Sequence, residues 1–177
     1  MFDRFGEFDS AEEINKKAAE LKAAGDEDNL KRLALENGFE IEDAEDYVDG
    51  AIDELCSPLM AAVAKLELEC KELGFKSTNR NWLVDVVDVL TEYAGDPKIA
   101  AGIRRKGKRL ADYMAMLISY SFENKFKVPD EIVSNVKIRM HKDSKPQAFK
   151  GPLYIGIPDK LTIKKLALEF YVGKGDN

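Results

Sequence analysis

Helix starts and stops are written unusually clearly into this chain, and that punctuation constrains its fold more than any other feature. Ser10 with Glu13 three residues later forms a capping box, Ile14, Ala18 and Leu21 follow at helical spacing, and Gly25 closes the element. This predicts a first helix over residues 10–25. An acid-led start at Asp26, Glu27 and Asp28 leads into Leu30, Leu33 and Ala34 and stops at Asn37-Gly38, so the two helices should form an antiparallel hairpin. Glu42 and Asp43 open a short third helix bearing Tyr47 and Val48, with Gly50 as its stop.

The pattern continues along the chain. Ser57 followed by Pro58 is an N-cap with proline at the first helical position, and Leu59, Val63, Leu66, Cys70 and Leu73 then recur at spacings of three and four up to Gly74. Residues 81–93 carry Trp82, Leu83, Val86, Val87, Leu90 and Tyr93; the valines would suit a strand, but length and spacing favour a helix. Asp96-Pro97 caps a short helix through Ile103. Gly107 interrupts or bends it before Leu110, Tyr113, Met114, Leu117, Ser121 and Phe122 resume a helical stripe. Met60, Met114 and Met116 sit within such stripes and read as core filler.

Past Pro129 the helical rhythm stops. Residues 136–140 alternate apolar and basic side chains as a half-buried strand does, and residues 152–157 form a second candidate strand that could pair with the first. Between them, residues 141–151 are rich in Lys, Ser and Pro and read as an exposed loop. A last helix starts at Asp159 or Thr162 and runs through Tyr171, with Leu161, Leu166 and Phe170 facing inward. Val172-Gly173-Lys174-Gly175 then reads as a frayed end. The expected class is mainly α: about seven helices with a small two-stranded β element near the C-terminus. An acidic helical segment (1–55) precedes a helical core carrying the β element and last helix (56–177), and one compact domain could hold both.

Charge is strongly segregated. Between Leu33 and Ala64 there are nine carboxylates (Glu36, Glu40, Glu42, Asp43, Glu45, Asp46, Asp49, Asp53, Glu54) and no lysine or arginine, so residues 1–55 are net −12 while the whole chain is −6. The remainder is therefore net +6. Its densest cluster is Arg104, Arg105, Lys106, Lys108 and Arg109 around Gly107. Arginine forks suit phosphate oxygens, and a backbone opened by glycine can offer N–H groups to an anion. Glu40, Glu42, Asp43, Glu45, Asp46 and Asp49 are the candidate acidic contacts, since helical faces usually mix signs to gain i,i+4 pairs and this one does not. Such a layout favours a charged macromolecular partner over a small neutral substrate.

Signatures of chemistry are absent. There is no Gly-x-Ser-x-Gly elbow and no Walker sequence, and the lone histidine, His141, has no partner at metal-ligand spacing. The acidic run lacks the alternating oxygen ligands of a calcium loop. The reading is therefore a non-enzymatic binding protein without catalytic residues, metal or cofactor. Cys56 and Cys70 lie about 20 Å apart along one helix at roughly 1.5 Å per residue, too far to bridge, and read as buried free thiols. No apolar run reaches the roughly 20 residues of a membrane span, and the N-terminus lacks a signal-peptide pattern, so the expected location is the cytoplasm without a membrane partner.

Several strings occur together: Phe8-Asp9-Ser10-Ala11-Glu12-Glu13-Ile14-Asn15, Glu36-Asn37-Gly38, Glu42-Asp43-Ala44-Glu45-Asp46-Tyr47-Val48-Asp49-Gly50, Cys56-Ser57-Pro58-Leu59-Met60-Ala61-Ala62, Arg104-Arg105-Lys106-Gly107-Lys108-Arg109-Leu110, and Gly156-Ile157-Pro158 with Lys164-Lys165. This set resembles small proteins of mobile elements in gut Clostridia and related Firmicutes that look related to type II anti-CRISPR proteins, the inhibitors of Cas9. The resemblance implies a protein that binds Cas9 or its guide-RNA complex and blocks target-DNA engagement or cleavage. Two other readings stay open: a DNA-binding accessory protein of a conjugative element, acting through Arg104–Arg109, and a protein–protein adaptor.

Overall fold

The computed structural model describes residues 3–75 and 81–173. Among these, the chain is mainly α: nine α-helices, one π-helical turn and two small antiparallel ladders. The described residues group into two compact units, one formed by residues up to 114 with those from 160 onward, the other by Ala115–Asp159.

In the first unit the helices begin and end at the expected residues. Helix α1 (Ala11–Ala23) starts where the Ser10 hydroxyl accepts the Glu13 N–H, at 3.3 Å, and the Glu13 carboxylate accepts the Asp9 N–H at 2.8 Å. Helix α2 (Glu27–Glu36) is capped by Asp26, and α3 (Ile41–Asp49) closes at Gly50. Ile14, Ala18, Leu30, Leu33, Ala34, Ala44 and Leu55 are fully buried together, each large side chain contributing about 1.5–3 kcal/mol of burial.

Helix α4 (Pro58–Glu72) starts at Ser57 and packs mainly against α6 (Pro97–Arg104). Its inward face differs from the expected stripe: Ala61, Ala62, Ala64, Lys65, Leu66 and Glu69 are buried, while Leu59, Met60 and Leu73 are exposed. Small alanines let α6 approach closely, which aliphatic bulk at Leu59 and Leu73 would not. Met60 is thus a surface residue, whereas Met114 is core. Helix α5 (Trp82–Tyr93) is helical despite its valines, with Val86 and Leu90 buried. Gly107 breaks rather than bends the chain: its φ of +76°, costly for any side-chain-bearing residue, turns it between α6 and α7 (Leu110–Glu123).

Helix α9 (Lys160–Ala167) continues as the π-helical turn Leu168–Val172. Ile163, Ala167 and Tyr171 face inward; Leu161 is 77% exposed, against expectation, because it lies on the opposite side of α9 from Ile163 and Ala167. The turn passes so close to α6 that a Cβ on Gly102 would lie 2.6 Å from the Tyr171 carbonyl oxygen. Tyr113, Phe170 and Tyr171 cluster beside it, and the Tyr113 hydroxyl donates to the Ile163 carbonyl at 2.8 Å. Lys174 and Gly175 of the expected frayed end lie outside the described residues.

The second unit holds the rest of α7, the short helix α8 (Asp130–Val133) and all four strands. β1 (Phe126–Lys127) pairs with β4 (Tyr154–Ile155), and β2 (Lys137–Ile138) pairs with β3 (Gln147–Ala148). The two expected strands therefore do not pair with each other. Residues 136–140 find their partner inside the segment read as a loop, and 152–157 pair back to β1, just past α7. Both ladders are exposed, so no buried face fixed their register in advance. No helix among the described residues is long and apolar enough to cross a membrane.

Candidate functional site

Helix α3 turns its apolar side, Ala44 and Tyr47, into the core. Period 3.6 then obliges Glu42, Glu45, Asp46 and Asp49 to share the opposite side, at i, i+3, i+4 and i+7, over about 10 Å of axis. All four are exposed, as are Asp53 and Glu54 beyond the helix. Glu45 pairs with Lys31 of α2 at 2.7 Å; Glu42, Asp46 and Asp49 make no ion pair among the described residues. Asp43 has a different task, accepting the Glu40 backbone N–H at 2.9 Å and so fixing the helix start. Lys22 holds the other end, donating to the Tyr47 carbonyl at 2.5 Å with its ammonium 4.5 Å from the Tyr47 ring centroid. The acidic row is thus mounted on a helix pinned at both ends.

The basic cluster is arranged the opposite way. Arg104 is 1% exposed and belongs to the core, not to an exposed cation set: its guanidinium donates to the side-chain oxygen of Asn37, the residue that ends α2, at 2.5 Å. Burial pulls its pKa below the usual arginine value. Lys108 is half-buried, donating to the Phe170 carbonyl at 2.8 Å beside the Phe170 ring. Arg105, Lys106 and Arg109 remain exposed.

The N–H groups that the glycine turn frees are taken by the protein's own carboxylates. Lys106 N–H donates to Asp9 at 2.8 Å, Gly107 N–H to Glu7 at 3.3 Å, and Leu110 N–H, at the start of α7, to Glu69 at 2.5 Å. Lys65 sits beneath, its side chain 1% exposed, with its ammonium 2.7 Å from Glu7, 3.8 Å from Glu69 and 3.0 Å from the Arg105 carbonyl it donates to. Burial raises the Glu69 pKa even though Leu110 N–H and Lys65 favour its charged form. The turn is therefore a ready-made anion cradle that is filled from within.

Sequence reasoning placed Glu7, Asp9, Lys65 and Glu69 in no site. One signal was readable: Lys65 and Glu69 are i,i+4 and lie between apolar positions of α4, where a solvated face would not put them. Asn37, read as a helix stop, is 0% exposed and also donates to the Leu33 carbonyl at 2.8 Å.

Cys56 is buried and Cys70 half-buried, both free, with burial pushing their thiols up to about 12 and about 11. His141 is exposed. Among the described residues, no group of three or more His, Cys, Asp or Glu is arranged to hold a metal ion. Compared with protein-family models, curated proteins and solved structures, the chain gives no match.

Proposed function

We propose that this chain is a non-enzymatic inhibitor of Cas9, docking its outward α3 carboxylates onto basic protein surface that nucleic acid otherwise occupies. The observation that carries the reading is the row Glu42, Glu45, Asp46 and Asp49 on one face of a pinned helix, three of them without an ion pair among the described residues. A helix held at both ends loses little backbone entropy on docking, and a row of like charge matches a groove built for phosphates. The resemblance of the chain's sequence strings to Cas9 inhibitors supplies the identity of the partner. Arg105, Lys106 and Arg109 stand as the secondary contacts, for guide RNA, DNA or an acidic patch.

Capture of purified Cas9, with and without guide RNA, tests the reading. Replacing Glu42, Glu45, Asp46 and Asp49 together by lysine should abolish both capture and inhibition of cleavage while leaving helicity unchanged. Capture should also weaken steeply between about 50 mM and about 200 mM salt. Undiminished inhibition by the fourfold variant would remove the phosphate-mimic mechanism; failure to capture Cas9 in either form would remove the partner.

A further inference from the structure

Unit Ala115–Asp159 carries more than half of the exposed large apolar side chains of the described residues, so much of its apolar surface lies outside any core. On the β1–β4 ladder Phe126, across from Ile155, and Tyr154, across from Lys127, stand on opposite faces and are 60% and 51% exposed, and Met140 is 70% exposed. Isolated two-stranded ladders are marginal in water, and the unit has two of them.

The β2–β3 ribbon is also the most cationic exposed element. Lys137, Arg139, Lys142, Lys145 and Lys150 accompany a single acid, Asp143. None of these six makes an ion pair among the described residues. Nor do the cations brace the ribbon: Lys137 lies opposite Ala148 and Ile138 opposite Gln147, where a stabilising cross-strand pair would set an acid. The ladder extends through the Phe149 N–H to the Val136 carbonyl at 2.9 Å. The tip is ordered by Ser144, whose hydroxyl donates to the His141 carbonyl at 2.8 Å and accepts the His141 N–H at 3.1 Å. Lys137 and Arg139, two residues apart, fall on the same side of the strand, about 7 Å from each other at roughly 3.3 Å per residue.

From this we infer that the 136–150 ribbon, with the exposed ring of Tyr154 in the same compact unit, is a binding surface for single-stranded nucleic acid. Four of the five cations are lysine, a residue that protein interfaces deplete but phosphate contacts use freely as a point charge. Exposed aromatic rings offer the stacking platform that makes strand binding tolerant of sequence. This surface is distinct from Arg105, Lys106 and Arg109, and the inference stands whether or not Cas9 is the partner.

The test is fluorescence anisotropy of the full chain with a labelled single-stranded oligonucleotide of about 20 nucleotides at about 50 mM salt. The triple variant Lys137→Glu, Arg139→Glu, Lys142→Glu should weaken binding at least about tenfold and flatten the log–log salt slope by about 2, from three contacts at about 0.7 each. Tyr154→Ala should weaken binding by about tenfold without changing that slope. All four side chains are exposed, so circular dichroism should be unchanged. No binding at low salt, or full affinity in the triple variant, overturns the inference. So does tighter binding of duplex than of single strand, or a loss confined to Arg105→Glu, Lys106→Glu, Arg109→Glu. If light scattering shows self-association that the triple variant abolishes while the oligonucleotide stays unbound, the ribbon's occupant is a second copy and the inference fails.

Discussion

The acidic helix α3 and the basic 104–110 turn look alike as charge runs, yet they end up facing opposite ways. On α3 the core claims Ala44 and Tyr47, and the row Glu42, Glu45, Asp46 and Asp49 is left to solvent. At the turn, Arg104 is drawn into the core, Lys108 lies against Phe170, and the free backbone N–H groups close on Glu7, Asp9 and Glu69. A run of like charges therefore becomes a surface only where the helix register spends its apolar positions on the core first. Where the run straddles a break between two helices, two of its five side chains turn inward, to the Asn37 side chain and the Phe170 carbonyl, and only Arg105, Lys106 and Arg109 are left outside.

That contrast can be attacked from the inward side first. Lys65→Ala would leave Glu7 and Glu69 facing each other without their shared ammonium, and should cost about 3–5 kcal/mol in urea denaturation. Gly102→Ala forces a methyl group against the Tyr171 carbonyl, and a loss of about 1–3 kcal/mol by the same measurement is expected. A native stability for either variant would mean that the inward network or the tight α6 packing is not what holds this side together.

The outward side should behave differently, and α3 provides an internal control. Asp43→Ala removes the acceptor for the Glu40 N–H and should cost about 1 kcal/mol, whereas Glu42→Ala or Asp46→Ala should stay within about 0.5 kcal/mol. Equal effects from all three would erase the distinction between the capping acid and the outward ones.

The smallest effect is a slope in pH. Burial raises the Glu69 pKa above its ordinary 4.5, so the stability it contributes is fully present below pH 4.5 and is lost as pH rises through the raised value. Glu69→Gln has no such proton to lose. Denaturation at pH 4.5 and at pH 7 should show wild type losing ground against the variant as pH rises, and the opposite trend would refute the assigned cause.

How much of this was legible beforehand followed from how each part is determined. Helices α1 to α3 are set by local chemistry, the Ser10 hydroxyl, the Asp26 carboxylate and Gly50, so their ends could be read directly. The inward face of α4 was not, because Lys65 and Glu69 are buried by partners as distant in sequence as Glu7 and Leu110, and hydrophobicity alone favours Leu59 and Leu73 over alanines. The strand pairings escaped for a related reason. Two-residue ladders with both faces in water leave no alternation to read, and β1 and α8 carry no signal beyond Pro129 and the acids after it. Of the candidate contacts, the outward acids of α3 were recoverable from periodicity; the fate of Arg104 needed knowledge of Asn37.

The bonds from Asp9 to Lys106 and from Glu7 to Gly107 span 97 and 100 positions of the chain. During synthesis, at about 5–20 residues per second, the segment ahead of α1 can fasten early to Glu36, whose carboxylate accepts the Arg4 and Phe5 N–H groups, but Glu7 and Asp9 meet their partners in the turn only when it emerges several seconds later. Closing so long a loop is among the slower steps open to a helical protein. The bonds of this strap to the turn are thus latecomers to the native state, and variants that weaken them should slow the last kinetic phase of refolding more than the first.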